Sequence, residues 1–261
     1  MAKILAVVNQ KGGVGKTTTS VNLGGYLAQS GKPTLIIDLD PQANATVGLG
    51  FKGDANGLTL YEVLLEKVSA ADAVHSTSQA NLNLLPSTPD LAGAAVELMD
   101  QPYREFRLRR ALKELDEHFE FILIDCPPSL GLLTVNGLVA AEQIMIPVQC
   151  EFYALEGLNQ LLQTVELVRQ HLNPKLQVLG AVLTMYDKRT ALGRRILREV
   201  RQTFPGHVFD SVIPRNSELA EAPATGATIL EYAKHSRGAK AYEYLSEELL
   251  NLYSSVHNGG I

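Results

Sequence analysis

The chain has 261 residues, a formal net charge of −5, a hydrophobic fraction of 46% and two cysteines. This length predicts one large α/β domain or at most two small ones, and no apolar run reaches the roughly 18 to 20 residues that cross a bilayer. Cys126 and Cys150 are too few for a disulfide framework, and the apolar N-terminal stretch ends at Asn9 without a small-residue cleavage site, so we expect a cytoplasmic protein.

Short apolar runs rich in β-branched residues alternate with helical patterns along the whole chain. The predicted strands are Ile4–Val8, Thr34–Asp38, Leu82–Leu85, Phe121–Asp125, Gln143–Val148, Val178–Thr184 and a short one near Ser211–Ile213. The predicted helices are Lys16–Ser30, Thr59–Glu66, Pro89–Asp100, Arg104–Glu117, Leu155–His171, Thr190–Thr203 and Gly238–Tyr253. The strands are apolar on both faces, as parallel strands covered by helices are. We therefore predict a single α/β domain over residues 1–261, with a doubly wound, mostly parallel sheet flanked by helices and ligands at its carboxyl edge.

The first predicted strand leads through a glycine-rich loop into the first predicted helix. A P-loop has this setting, because successive backbone N–H groups and the helix N-terminus bind phosphate oxygens. Lys16 is the candidate lysine for the β- and γ-phosphates of ATP, and the Thr17 hydroxyl is a candidate Mg²⁺ ligand. The predicted nucleotide-binding residues of the loop are Lys11, Gly12, Gly13, Val14, Gly15, Lys16, Thr17 and Thr18.

The loop departs from the standard P-loop pattern at its start. Gln10 stands where the pattern has glycine, and a second lysine, Lys11, follows it. Two ammonium groups on one triphosphate repel each other, so Lys11 is a candidate for reaching a phosphate across a subunit interface, as an arginine finger does in trans. A solvated loop lysine is the alternative.

Acidic residues follow two other strands at the same predicted edge. Asp125 ends one strand and is the candidate Walker B carboxylate for the hydrated Mg²⁺. Asp40 lies just beyond another strand and is the candidate for orienting or deprotonating the attacking water, whereas Asp38 is expected to support magnesium or the lysines. Capping of a turn is the alternative role for these carboxylates. Residues 127–131 predict a stiff turn followed by flexible residues, which suits a loop that senses the γ-phosphate.

Basic charge is concentrated between residues 185 and 204. This segment holds six Lys or Arg and two Asp or Glu, so its local charge of +4 leaves −9 for the rest of the chain. The candidate DNA-binding residues in it are Lys188, Arg189, Arg194, Arg195, Arg198 and Arg201. No aromatic or amide cluster accompanies them to read base edges, so they predict sequence-independent contact with the phosphate backbone. A solvated helix face is the alternative.

Three runs of residues, Lys11–Thr18, Asp38–Asn44 and Asp125–Ser129, resemble in that order the deviant Walker A (SIMIBI-type) P-loop ATPases. Within these, the chain is most similar to the ParA/Soj chromosome- and plasmid-partitioning ATPases. The similarity continues through Glu151–Gly157, Thr184–Asp187, Val212–Asn216 and Ser236–Gly238. It therefore covers nearly the full chain.

The resemblance implies that two subunits sandwich two ATP molecules as a homodimer. In that arrangement Lys11 contacts the partner's nucleotide, Asp40 positions the hydrolytic water, and adenine lies near Pro214 and Asn216. The ATP-bound dimer would bind double-stranded DNA without sequence preference. A centromere-binding ParB-type partner would then stimulate hydrolysis and release monomers.

The resemblance also bears on individual DNA contacts. Arg189 aligns with an arginine that the family uses for DNA. Some relatives carry a further basic residue where this chain has Ser217 and Glu218. DNA contact there is expected to be weaker, or to be made by Arg215.

Three rival functions differ from this expectation in one feature each. A MinD-type membrane-cycling ATPase carries a basic amphipathic C-terminal helix, whereas the segment 243–253 is amphipathic but acidic, so we expect no membrane binding. A nitrogenase-iron-protein type would need cysteines at cluster-ligand spacing, which Cys126 and Cys150 lack. A DNA-reading repressor of the larger partition type would carry an N-terminal helix-turn-helix domain, for which we expect no room because the first strand begins near Lys3.

Overall fold

The computed structural model describes residues 1–52, 57–151 and 154–258. The strands of this part of the chain are β1 (Lys3–Val7), β2 (Thr34–Asp38), β3 (His75–Ser76), β4 (Leu82–Leu85), β5 (Phe121–Asp125), β6 (Gln143–Gln149), β7 (Gln177–Tyr186) and β8 (Val208–Pro214). The α-helices are α1 (Lys16–Gln29), α2 (Asn44–Gly48), α3 (Leu60–Leu64), α4 (Leu91–Glu97), α5 (Arg107–Ala111), α6 (Leu132–Ala140), α7 (Ala154–His171), α8 (Ala191–Thr203), α9 (Ser217–Glu221), α10 (Ile229–Ala233) and α11 (Arg237–Asn258).

The strands form one sheet in the order β3-β4-β2-β5-β1-β6-β7-β8. All pairs are parallel except β3 with β4, which is antiparallel at the edge. Because β1 lies in the middle of the sheet, the loop that follows it emerges between the carboxyl ends of its neighbours. The predicted doubly wound, mostly parallel sheet is confirmed.

Helices cover both faces of the sheet and bury separate cores. One core contains side chains of α1 and α11, such as Leu23, Leu27, Tyr242 and Leu245. The other core contains side chains of α3 to α8, such as Leu161. Strands β2 and β5 are fully buried along their length, which explains their continuous apolar sequences. None of the described helices is long and apolar enough to cross a membrane.

The predicted single helix over residues 104–117 is wrong. The segment consists of a 3₁₀ turn (Arg104–Phe106), α5 and a second 3₁₀ turn (Leu112–Leu115). In a continuous α-helix the N–H of Leu108 would donate to the carbonyl of Arg104. Here the side chain of Asn136 lies between them, since its Oδ1 accepts from Leu108 N at 3.1 Å and its Nδ2 donates to Arg104 O at 2.9 Å. A tertiary contact therefore interrupts the helix.

Other differences concern short elements. The helices predicted over 59–66 and 89–100 are reduced to α3 and α4. At α3 the cause is local, because Thr59 and Glu62 form a capping box that starts the helix, and Glu66 adopts a left-handed conformation after it. The short elements β3, α2, α9 and α10 and the apolar helix α6 were not predicted.

Candidate active site

The loop between β1 and α1 is built to surround phosphate groups. Gly13 and Gly15 adopt left-handed φ angles of 72° and 90°, which other residues reach only with strain. A Cβ at Gly12 or Gly13 would meet nothing within 4 Å, so the inner side of the loop is open. Thr184 of β7 supports the loop from below, since its hydroxyl donates to Val14 O at 2.8 Å. Six of the eight predicted P-loop residues line one open cleft of about 590 Å³, and Lys11 and Val14 are not part of its lining.

The ammonium group of Lys16 lies inside this loop. Its side chain is buried, and Nζ donates to the carbonyl of Lys11 at 3.3 Å, which closes the loop around the amine. Burial lowers the pKa of Lys16, although the charges of Asp125 and Asp40 act in the opposite direction. A desolvated ammonium group at this position is suited to binding the negative charge of a triphosphate.

Asp125, at the end of β5, faces the start of α1. Its carboxylate accepts hydrogen bonds from the hydroxyls of Thr17 (2.7 Å) and Ser20 (3.1 Å). Burial, and next the charge of Asp38, raise the pKa of Asp125, and a divalent cation would relieve this cost. Hydroxyl and carboxylate oxygens are the ligands Mg²⁺ prefers, so Thr17 and Asp125 fit the predicted magnesium site. Bound there, Mg²⁺ would neutralise charge on the phosphate oxygens.

Asp38 stands beside Asp125 in the sheet but makes different contacts. Its Oδ2 accepts from both the N–H (2.8 Å) and the hydroxyl (2.7 Å) of Thr46, and its Oδ1 accepts from Asp40 N at 3.2 Å. Burial raises the pKa of Asp38, and the hydrogen bonds from Thr46 oppose this. Both oxygens of Asp38 thus hold the segment 40–46 that follows β2. The sequence did not predict this role, since Asp38 was expected to support magnesium or the lysines.

Asp40 lies on the wall of the cleft opposite the phosphate loop. Its carboxylate accepts from Gln42 N at 2.9 Å, and its carbonyl accepts from the buried hydroxyl of Ser87 at 2.7 Å. Ser87 N in turn donates to Thr46 Oγ1 at 2.9 Å. Asp40 is therefore held by a chain of buried hydroxyl groups that is anchored on Asp38.

A narrower pocket of about 200 Å³ continues from the phosphate cleft, and both share Gly15 and Thr18 in their lining. Pro214 and Asn216, at the end of β8, line this pocket, as the prediction for adenine requires. Tyr242 of α11 closes it from the other side and bonds the hydroxyl of Thr19 at 3.1 Å. The two connected spaces fit a nucleotide with its base between β8 and α11.

Lys11 lies outside the cleft that holds Lys16. Its Nζ is 3.0 Å from Oε2 of Glu151, and its side chain is 40% exposed. Asn9 fixes the backbone at this point, because its Oδ1 accepts from Lys11 N and its Nδ2 donates to Pro147 O. The similar run 151–157 begins at Glu151; its positions 152 and 153 lie outside the described residues.

The candidate DNA-binding arginines between residues 191 and 203 form a basic stripe on the exposed face of α8. Ile196 and Val200 are buried beneath it. The arginines of the stripe, Arg194, Arg195, Arg198 and Arg201, are all exposed. Three of the candidate DNA-binding arginines pair with carboxylates: Arg189 with Asp187, Arg195 with Glu199 and Arg201 with Asp210.

Several residues that shape the site were missed by sequence reasoning. Asn9, Ser20, Thr46, Ser87 and Thr184 act through hydrogen bonds to loop atoms or carboxylates. Two of them had a signal in the sequence: Ser20 lies one helical turn beyond Lys16 on the same helix, and Thr184 begins the similar run Thr184–Asp187. Cys126 and Cys150 are buried free thiols whose pKa is raised by burial.

Comparison with known proteins extends these observations to the whole chain. A family model described as an AAA domain matches residues 2–178. The sporulation initiation inhibitor protein Soj of Bacillus subtilis is 51% identical over 95% of this chain and 98% of its own. The chromosome partitioning protein ParA of Myxococcus xanthus is 48% identical over 96% of this chain and 88% of its own. The chain belongs to the Soj/ParA family of partitioning ATPases.

Solved structures share the fold of this chain. Cobyrinic acid a,c-diamide synthase from Mycobacterium smegmatis with bound ADP and magnesium has a TM-score of 0.86 and 41% identity, over 98% of this chain and 96% of its own. The Pyrococcus furiosus cell division ATPase MinD has a TM-score of 0.80 and 29% identity, over 97% of this chain and 100% of its own. This Soj/ParA family member is thus an ATP hydrolase that uses ATP and Mg²⁺.

Proposed function

We propose that the protein is an ATP-dependent dimerising switch for chromosome or plasmid segregation. The ATP-bound homodimer binds double-stranded DNA without sequence preference in the cytoplasm. A centromere-binding ParB-type partner stimulates hydrolysis and returns the protein to monomers. Relatives of about 50% identity that are named for chromosome partitioning support the role in segregation, and the geometry of the nucleotide site supports the dimerising switch.

The position of Lys11 carries the dimer proposal. Lys16 already occupies the interior of the phosphate loop, whereas Lys11 points away from it to Glu151 at the rim. The ammonium group of Lys11 lies outside its own phosphate loop and becomes available to a phosphate on a second subunit once its ion pair with Glu151 is broken. Lys16 and Asp40 then act on the nucleotide of their own subunit, with Thr17 and Asp125 holding magnesium and Asp38 holding the Asp40 loop.

The basic stripe carries the DNA proposal. Exposed arginines on α8 lie on a protein whose remaining charge is negative, so the positive potential is local and favours phosphate contact at this face.

The MinD-type alternative is disfavoured by α11, because Tyr242, Leu245 and Leu249 of this helix are buried in the core and are not available to a lipid surface.

A charge-reversal experiment tests the DNA proposal. Arg189, Arg195 and Arg198 are changed together to Glu, and co-sedimentation with plasmid DNA is measured in the presence of ATP. A control variant reverses three exposed cations elsewhere, Arg109, Lys113 and Lys175, with the same change in net charge. We expect loss of DNA binding only in the first variant, with ATP-dependent dimerisation intact in both. Undiminished co-sedimentation of the first variant would refute the proposal.

A further inference from the structure

A basic cleft of about 320 Å³ lies where β7 and β8 end and α11 begins. It is lined by Tyr186, Asp187, Lys188, Arg189, Pro214, Arg215 and Arg237. Four of these side chains are cationic and one is acidic. Arg237 comes from a separate element and was not among the residues that the sequence singled out for DNA.

The start of α11 is packed so that Arg237 is held at this cleft. A Cβ on Gly238 would lie 2.6 Å from Leu219 Cγ and 2.8 Å from Asn216 Oδ1, so only glycine allows the helix to approach the segment after β8 this closely. The hydroxyl of Ser236 accepts from Ala239 N at 3.0 Å and fixes the first turn. The run Ser236–Gly238 therefore has a structural purpose, which is to hold an arginine beside Pro214 and Arg215.

The cleft keeps a net positive charge. Asp187 is engaged by Arg189, whose Nε and Nη2 donate to it at 3.0 and 2.8 Å. These bonds lower the pKa of Asp187 to about 2, and the charge of Arg237 adds to the effect. Glu218 also lies within electrostatic reach of Arg237. Yet within residues 1–52, 57–151 and 154–258 no carboxylate forms an ion pair with Lys188, Arg215 or Arg237.

We propose that this cleft receives a phosphate of the DNA backbone and that Arg237 contacts it together with Arg189 and Arg215. The inference rests on the DNA binding of the proposed function and adds a residue from outside the basic segment. Guanidinium groups from three elements around one concave site match the geometry of a phosphate better than a stripe on one helix. Pro214 and Arg215 line both this cleft and the adjoining 200 Å³ pocket, so the phosphate site shares a wall with the nucleotide site.

The test compares Arg237→Gln with Lys240→Gln, which removes an exposed cation one turn further along α11. Binding of the ATP-loaded protein to a random-sequence duplex is measured at several KCl concentrations. Each neutralised phosphate contributes roughly 0.9 to the slope of log K against log salt, so a dimer of Arg237→Gln, which keeps Arg189 and Arg215, should lose up to about 2 from that slope. Its affinity at low salt should fall about tenfold or more. Lys240→Gln and Arg237→Lys should keep the wild-type slope.

Size-exclusion chromatography with ATP accompanies the measurement, and dimerisation should be unchanged in all three variants. Equal affinity and slope for Arg237→Gln and Lys240→Gln would overturn the inference while leaving the proposed function in place, provided that the Arg189, Arg195 and Arg198 triple variant still loses DNA. Absence of DNA binding by the wild-type protein would overturn both.

Discussion

Lys11 Nζ and Glu151 Oε2 form an ion pair of 3.0 Å at the rim of the nucleotide cleft. The other oxygen of Glu151 accepts from Gln149 Nε2 at 2.6 Å, so the carboxylate is fixed by β6. Lys11 is therefore held within its own subunit before a second subunit is present. Dimerisation through Lys11 has to break this pair.

Two substitutions distinguish the effect of the Lys11–Glu151 ion pair from that of the proposed contact between Lys11 and a phosphate of the second subunit. Lys11→Gln should leave ATP binding to the monomer within a few-fold and abolish the ATP-dependent dimer. Glu151→Gln should instead tighten the dimer, by no more than about thirtyfold, because dimerisation breaks two such pairs and each half-exposed ion pair contributes only about 0.2–1 kcal/mol. Analytical ultracentrifugation with ATP measures both effects. A normal dimer in Lys11→Gln would contradict the role of this lysine.

The hydroxyl of Thr46 links Asp38 to the Asp40 loop through Ser87. Thr46→Val keeps the shape but leaves buried groups unsatisfied, so the free energy of unfolding should fall by about 1–3 kcal/mol. The rate of ATP hydrolysis should fall as well, because Asp40 is no longer held. Thr46→Ser, which retains the hydroxyl, should recover most of both quantities. Denaturant unfolding and phosphate release measure them, and a fully active Thr46→Val would refute the link.

The Asp38–Asp125 pair predicts an unusual pH dependence of stability without nucleotide. Burial raises the pKa of both carboxyls, so the folded state binds protons more tightly than the unfolded state does. The stability that the pair contributes is then greatest at or below about pH 4, the ordinary carboxyl pKa, and is lost as pH rises through the raised values. Asp125→Asn should flatten this decline. Urea unfolding at several pH values, without Mg²⁺, shows whether the free energy of unfolding falls as pH rises.

Gly238 and Gly93 provide a contrast between two helical glycines. Gly238→Ala forces a Cβ against Leu219 and Asn216, so we expect a loss of about 1–3 kcal/mol in unfolding free energy and weaker ADP binding at the adjoining pocket. Gly93→Ala in α4 meets nothing closer than 3.9 Å and should stabilise the protein by about 0.5–1 kcal/mol. Thermal unfolding and ADP titration distinguish them, and equal effects would contradict the packing at Gly238.

The sheet was predictable because buried parallel strands are apolar on both faces, and β2 and β5 begin and end where the sequence indicated. The phosphate loop was predictable because its chemistry is local in the chain. The interruption of the helix predicted over residues 104–117 was not predictable, since it depends on the side chain of Asn136, which is 28 residues from Leu108 in the chain. Ser87 was missed for the same reason, as it reaches Asp40 only through tertiary packing.

Asp40 provides the most direct test of the switch, because its removal should block hydrolysis without disturbing ATP binding. Asp40→Ala is examined with ATP, with ADP and without nucleotide, by size-exclusion chromatography and by binding to random-sequence DNA. We expect a stable dimer that binds DNA with ATP alone, and a monomer that does not bind DNA under the other two conditions. A persistent monomer with ATP, or binding to lipid vesicles in place of DNA, would contradict the account.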